Sequence, residues 1–134
     1  MKRNNKMAKF TKEQKAEYFK GLREEWTRIK KLSEGDKTAK AVFEASGLSG
    51  ISFIGFQVVL AQMKKLGLDG LPYVDTKTFQ KWKQSGFQVK KGEKSKIHGI
   101  TWIDIADKDD IDEIVIPKVY HLFHKTQVEE IKQQ

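Results

Sequence analysis

Residues 73–99 read YVDTKTFQKWKQSGFQVKKGEKSKIHG, from Tyr73 to Gly99. The stretch predicts a short helix, a glycine stop, a strand and a lysine-studded turn. Asp75 or Thr76 can cap the helix, because a short oxygen-bearing side chain accepts from unpaired backbone N–H groups at a helix start. Gly86 can end it, since glycine enters the left-handed conformation without strain. Phe87-Gln88-Val89-Lys90 then alternates apolar and polar, as a half-buried strand does. Lys91-Gly92-Glu93-Lys94 is a turn with lysines on both sides. Seven lysines fall between Lys77 and Lys96 against one acid, Glu93. A cationic edge of this density points to a polyanionic partner.

Upstream, residues 1–10 are polar and basic and read as a disordered arm. The single domain is expected over 11–134. Thr11 to about Leu32 reads as one long helix, with Phe19, Leu22, Trp26 and Ile29 as its buried stripe. Much of its charge pairs at helical spacing, for example Glu24 with Arg28. Asp36 can cap a short second helix through Ala45, with Ala39, Val42 and Phe43 inward. Residues 51–66, ISFIGFQVVLAQMKKL, are rich in strand formers, but their length and the Leu60, Met63, Leu66 spacing favour a helix from about Ile54. Gly67 stops it. Gln57 is the polar residue in its first half, and faces either a ligand or a partner in the core.

Downstream, 97–105 alternates as a strand, with Ile100 and Trp102 on one face and Ile103 and Ile105 on the other. If the isoleucines face the core, Trp102 is exposed as a stacking platform; the inverse assignment buries it. Residues 105–113 hold five acids and one base and read as a solvated hairpin loop. They lack the glycine and glutamate of a calcium-binding EF-hand loop. Ile114 to Phe123 returns as a strand, with Val119 and Phe123 facing one way and Tyr120 and Leu122 the other. Lys125 or Thr126 is expected to open a short C-terminal helix. Within the central stretch, Phe79 and Trp82 are expected inward and Lys77 and Lys81 on a different helix face. Tyr73 either packs on the core or stacks on a base.

The chain of 134 residues fits one domain with one core. Its net charge is +8. There is no cysteine, hence no disulfide framework or thiolate zinc site. No apolar run is long enough to span a bilayer, and the basic N-terminus lacks the apolar segment of a secretory signal. A cytoplasmic protein is expected. Lysines outnumber arginines by 23 to 3, which favours point-charge phosphate contacts over bidentate base reading.

The central stretch resembles the N-terminal single-stranded-DNA-binding domain of ArdC-type antirestriction proteins, which also occurs in plasmid primases. The resemblance is carried by Tyr73, Thr76, Phe79, Gln80, Gly86 and the run Val89-Lys90-Lys91-Gly92-Glu93-Lys94. Two flanks agree with it. Phe53-Ile54-Gly55-Phe56-Gln57 is similar to the family's aromatic-x-Gly-Ile-Asn segment, with Gln57 in place of Asn. Tyr120 to Gln127 is similar to its closing Val-Phe-Asn-x-x-Gln strand, with His124 in place of Asn. Phe87-Gln88 stands where the family more usually has a glycine-containing pair. The match spans roughly residues 11–130. It implies a free-standing, non-catalytic module that works beside a polymerase, primase or helicase on another chain, on a mobile genetic element.

The residues themselves offer no HExxH, no phosphate-binding GxxxxGK[ST] loop and no nucleophile elbow. His121 and His124 would fall on opposite faces of a strand. No cofactor, metal, membrane or small-molecule substrate is expected. The expected fold is α+β, with N-terminal helices and a core helix packed on a small antiparallel sheet of strands near 87–90, 97–105 and 115–124. The expected function is sequence-independent binding of single-stranded DNA. Lys77, Lys81, Lys90, Lys91, Lys94 and Lys96 would neutralise phosphates. Tyr73, Trp102 and Tyr120 would stack on bases, with Gln57 facing a base edge. The alternative is a protein-binding antirestriction factor or adaptor whose basic face meets an acidic protein.

Overall fold

Thr11 starts the first helix as expected. Its hydroxyl accepts from the Gln14 N–H at 3.0 Å, and the Gln14 side chain returns the bond to the Thr11 N–H at 2.9 Å. Such reciprocal capping satisfies two orphan donors at once. In the computed structural model, which describes residues 11–106 and 113–132, α1 then runs Lys12–Ser33. Of residues 103–106 and 113–115 only the backbone is described. The basic arm and the acidic residues 107–112 lie outside the described residues.

Asp36 caps α2 (Lys37–Ala45) through the Ala39 N–H at 3.0 Å. This helix has no fully buried residue, and Val42, expected inward, is 40% exposed. α2 holds on through Phe43, whose ring meets Phe53 and Phe56 at 5.6 and 5.2 Å.

Ser52 caps α3 (Phe53–Lys65), and Gly67 beyond its end takes φ 70°. α3 is the core helix, with Phe56, Val58, Val59 and Met63 buried. Fully burying side chains of this size contributes about 1.5–3 kcal/mol each.

The long hairpin is the frame on which the helices pack. β3 (Ile97–Ala106) and β4 (Glu113–His124) pair antiparallel from Ile97 opposite Leu122 to Ala106 opposite Glu113. The short β1 (Thr76–Lys77) adds to the other side of β4, giving the order β1-β4-β3. α3 packs at β3, the edge strand, and so reaches both faces of the sheet. On one face Val58 joins Leu22, Ile29 and Ile100, with Trp26, Trp102 and Val119 packed around them. On the other, Val59 and Met63 join Ile97 and Leu122, with Leu68, Tyr73 and Tyr120 alongside.

Four local expectations are corrected. First, α4 is shorter than the spacing suggested, Phe79–Gln84, and its cap is Thr78. The oxygens of Asp75 and Thr76 turn backward instead, to the N–H groups of Leu71 (2.7 Å) and Tyr73 (2.9 Å). That frees Thr76–Lys77 to pair with β4. Lys77 is therefore on a strand and Lys81 on a helix. Second, Phe79 sits at the first position of α4 and is 55% exposed, while Trp82 is buried.

Third, β2 (Phe87–Val89) does not join the hairpin sheet. It pairs with β5 (Val128–Glu130) in a sheet of two strands. Fourth, the short helix expected from Lys125 or Thr126 is only a single 3-10 turn. This turn, Lys125–Gln127, closes because His124 and Gln127 cap each other, and the chain goes straight into β5. Gly86 keeps its predicted role at φ 91° after α4. Among the described residues, no helix is long and apolar enough to cross a membrane.

Candidate nucleic-acid interface

Tyr73, Tyr120 and Trp102 come from separate segments, and the hairpin gathers them beside one groove. Tyr120 and Gly99 are partners across β3 and β4. Glycine is required at position 99, because a Cβ there would collide with the Tyr120 ring. The ring is thus laid down over β3. Tyr73 meets it from the loop before β1, hydroxyl to hydroxyl at 2.6 Å. Tyr73 holds a left-handed backbone at φ 66°, which is costly for a bulky residue. The Thr76 hydroxyl, accepting its N–H, fixes that turn. Burial, then the hydrogen bond to Tyr120, pushes the Tyr73 hydroxyl well above its ordinary pKa, so Tyr73 keeps its proton well into the alkaline range.

Two cavities meet at this pair. One, of about 390 Å³, runs from Leu48, Ser49 and Ile51 to Lys77 and Lys81. The other, of about 300 Å³, lies among Gly50–Ser52, Ile100, Trp102 and Trp26. Ile51, Tyr73 and Tyr120 line both. The result is a groove with cations at one end and aromatic rings along its length.

The Lys77 ammonium is positioned by the Val74 carbonyl at 2.6 Å and lies 4.6 Å from the Trp82 ring centroid. Neither contact neutralises its charge. Trp82 is in turn anchored by its indole N–H, which donates to the Phe123 carbonyl at 2.8 Å.

Trp102 is corrected as a freely exposed platform. It shares the Ile100 face, is half-buried, and packs edge-on to Trp26 with centroids 5.5 Å apart. It remains a wall of the groove. Gln57 lies elsewhere: its amide nitrogen donates to the Ser33 hydroxyl of α1 at 3.2 Å. The structure does not bring it to the other predicted site residues.

The lysine turn after β2 is a second cationic surface. Lys90, Lys91, Lys94 and Lys96 are all exposed. The turn is pinned from beneath by Gln127, which is buried. The Gln127 amide nitrogen donates to the Glu93 carboxylate at 2.9 Å and to the Lys94 carbonyl at 2.8 Å. Its side-chain oxygen accepts from the His124 N–H, and its carbonyl accepts from the Lys90 N–H. Ser95 adds bonds to the Ile97 and Leu122 carbonyls, both at 2.8 Å.

Sequence reasoning passed over Gln127 as a site residue. The signal was its spacing from His124, one capping interval. Lys96 parts from the rest of the turn and lines a cavity with Glu25, Arg28, Lys65 and His98. His98 lies 3.6 Å from Glu25 there.

His121 is exposed and His124 buried, on opposite faces of β4 as expected. The His124 ring donates from Nε2 to the Asp69 carbonyl at 2.6 Å, since a carbonyl only accepts. Nδ1 therefore accepts, from Thr126. The ring is a structural tie between β4 and the loop after α3. No cluster of metal-ligating side chains occurs among the described residues. Compared with known proteins, the chain matches no family model, no curated protein and no solved structure.

Proposed function

We propose that this chain is a non-catalytic module that binds single-stranded DNA without sequence preference. The observation that supports it best is the groove in which Tyr73, Tyr120 and Trp102 converge with Lys77 and Lys81. Phosphates need fixed cations and bases need flat rings, and this groove offers both within one surface. The pinned Lys90–Lys94 turn extends the cationic character, and lysines that displace condensed counterions supply salt-dependent affinity. The groove is lined by strands, loops, the short helix α4, and Trp26 and Gly55 from α1 and α3. The helix arginines, Arg23 and Arg28 of α1, do not line the groove, and its lysines are point charges rather than readers of duplex base edges, so single strands are the favoured form.

The resemblance to ArdC-type domains supports the same ligand. On that analogy the module is a cytoplasmic accessory subunit that works with a polymerase, primase or helicase supplied by another chain on a mobile genetic element.

Fluorescence anisotropy with labelled single-stranded and duplex oligonucleotides tests the binding. A clear single-strand preference with a steep salt dependence is expected, weakened in the Lys77→Ala/Lys81→Ala variant. Equal, feeble binding of both forms at low salt would refute the reading and direct attention to an acidic protein partner.

A further inference from the structure

The edge strand β3 is covered over only part of its length. At His98 the Gln62 carboxamide of α3 takes both outward backbone groups. Its oxygen accepts the His98 N–H at 2.9 Å, and its nitrogen donates to the His98 carbonyl at 2.8 Å. Successive residues of a strand point their backbone groups to opposite sides, so an outward donor and acceptor pair recurs two residues on, at Ile100. No side chain of α3 is bonded there. Ile100 instead lines the cavity of about 300 Å³ between the β3 edge and the Gly50–Ser52 loop. Tyr73 and Tyr120 wall it on one side, Trp26 and Trp102 on another. Gly50 lies in the rim with nothing within 4 Å of the place a Cβ would occupy. The buried Trp102 Nε1 has no acceptor among the described residues.

We infer that this cavity receives one nucleobase of the bound strand, whose edge does at Ile100 what Gln62 does at His98. The inference rests on the single-strand reading above. A carboxamide offers an acceptor beside a donor. Each of the four bases offers the same neighbouring pair on its Watson–Crick edge, which is free only when the strand is unpaired. One base pocket can therefore select single strands over duplex without selecting sequence. The aromatic walls supply stacking, and Lys77 and Lys81 lie where the groove carries the backbone away. An unpaired strand edge can also take an extended peptide, so the test separates the two occupants.

The experiment compares a short oligothymidylate with an abasic deoxyribose-phosphate strand of the same length. Anisotropy and amide hydrogen exchange are measured on the full chain. Ile51→Trp, a loop substitution that fills the groove, is carried in parallel. Wild type is expected to bind the abasic strand roughly tenfold or more weakly. The Ile100 N–H should exchange more slowly with oligothymidylate and unchanged with the abasic strand. Ile51→Trp should bind both strands at the abasic level. Equal wild-type affinity for both strands with a retained salt dependence would overturn the base pocket and leave phosphate binding standing. An Ile100 N–H that oligothymidylate fails to protect would overturn it as well, whether or not Ile51→Trp folds. Slowing of that N–H by an extended peptide alone would assign the edge to a peptide strand. Failure of both strands to bind at all would instead remove the single-strand reading itself.

Discussion

Tyr73 combines a strained backbone with a raised hydroxyl pKa, and both have measurable consequences. Its left-handed φ of 66° costs of order 1–3 kcal/mol, offset by the Thr76 and Tyr120 hydrogen bonds. In the unfolded chain a tyrosine ionises near pH 10. Burial, then the Tyr120 bond, keeps the folded-state hydroxyl protonated beyond that. Above about pH 10 the unfolded chain therefore loses a proton that the folded chain keeps, and stability falls as pH rises. Tyr73→Phe removes this contribution. Its urea midpoint should drop less than wild type's between pH 9 and 11, and parallel declines would contradict the assignment. Gly99 is the complementary case. Gly99→Ala forces the Tyr120 ring off β3 and should cost about 1–3 kcal/mol, as overpacking does. Single-strand affinity should fall with it, because the ring is a groove wall. Urea denaturation and anisotropy on the same preparation measure both.

Among the elements, α3 has the widest reach, and Gln62 is its link to the sheet. Its two bonds to His98 close one step of an edge that would otherwise invite strand pairing. Gln62→Ala should destabilise by about 1 kcal/mol, since a part-buried backbone donor and acceptor lose their partners. Light scattering should also show a concentration-dependent rise in apparent mass. A variant that stays monomeric with an unchanged urea midpoint would show that α3 guards the edge by packing alone. The caps of α1 and α2 and the glycine stop of α3 were legible in the sequence, because Thr11, Asp36 and Gly67 act on their own neighbours; the α3 cap, Ser52, was not. α4 was misread because Asp75 and Thr76 have a choice of N–H groups. The choice went to Leu71 and Tyr73, whose turn is set by contacts with β4.

For the whole molecule, charge is the property with the longest range. A net charge of +8, with lysines in both the groove and the pinned turn, predicts binding that salt weakens. Each phosphate contact on a single strand adds about 0.7 to the slope of log affinity against log salt. Lys90→Ala/Lys91→Ala/Lys94→Ala should lower that slope by about 2 if all three meet phosphate. A slope unchanged from wild type would show that the turn serves solubility alone. The pinning by Gln127 matters at this scale too. It ties the lysine turn to the segment that joins β4 to β5.

The sequence by itself determined the α+β class, the first three helices, the hairpin of residues 97–124, and the identity of the lysines and rings. Those follow from periodicity, caps and composition, which act over a few residues. Which rings share a surface was decided by tertiary structure. Trp102 turned inward because α1 offered Trp26 on the Ile100 face, and Gln57 turned to Ser33 because α3 packs on α1. β2 found β5 because the 3-10 turn at Lys125–Gln127 redirects the chain. Partners of this kind lie tens of residues apart, and no local pattern records which of several compatible surfaces will meet. Tyr73 and Tyr120 are separated by 47 positions. Only the register of β3 on β4, with glycine opposite Tyr120, brings their hydroxyls together and opens the groove beside them.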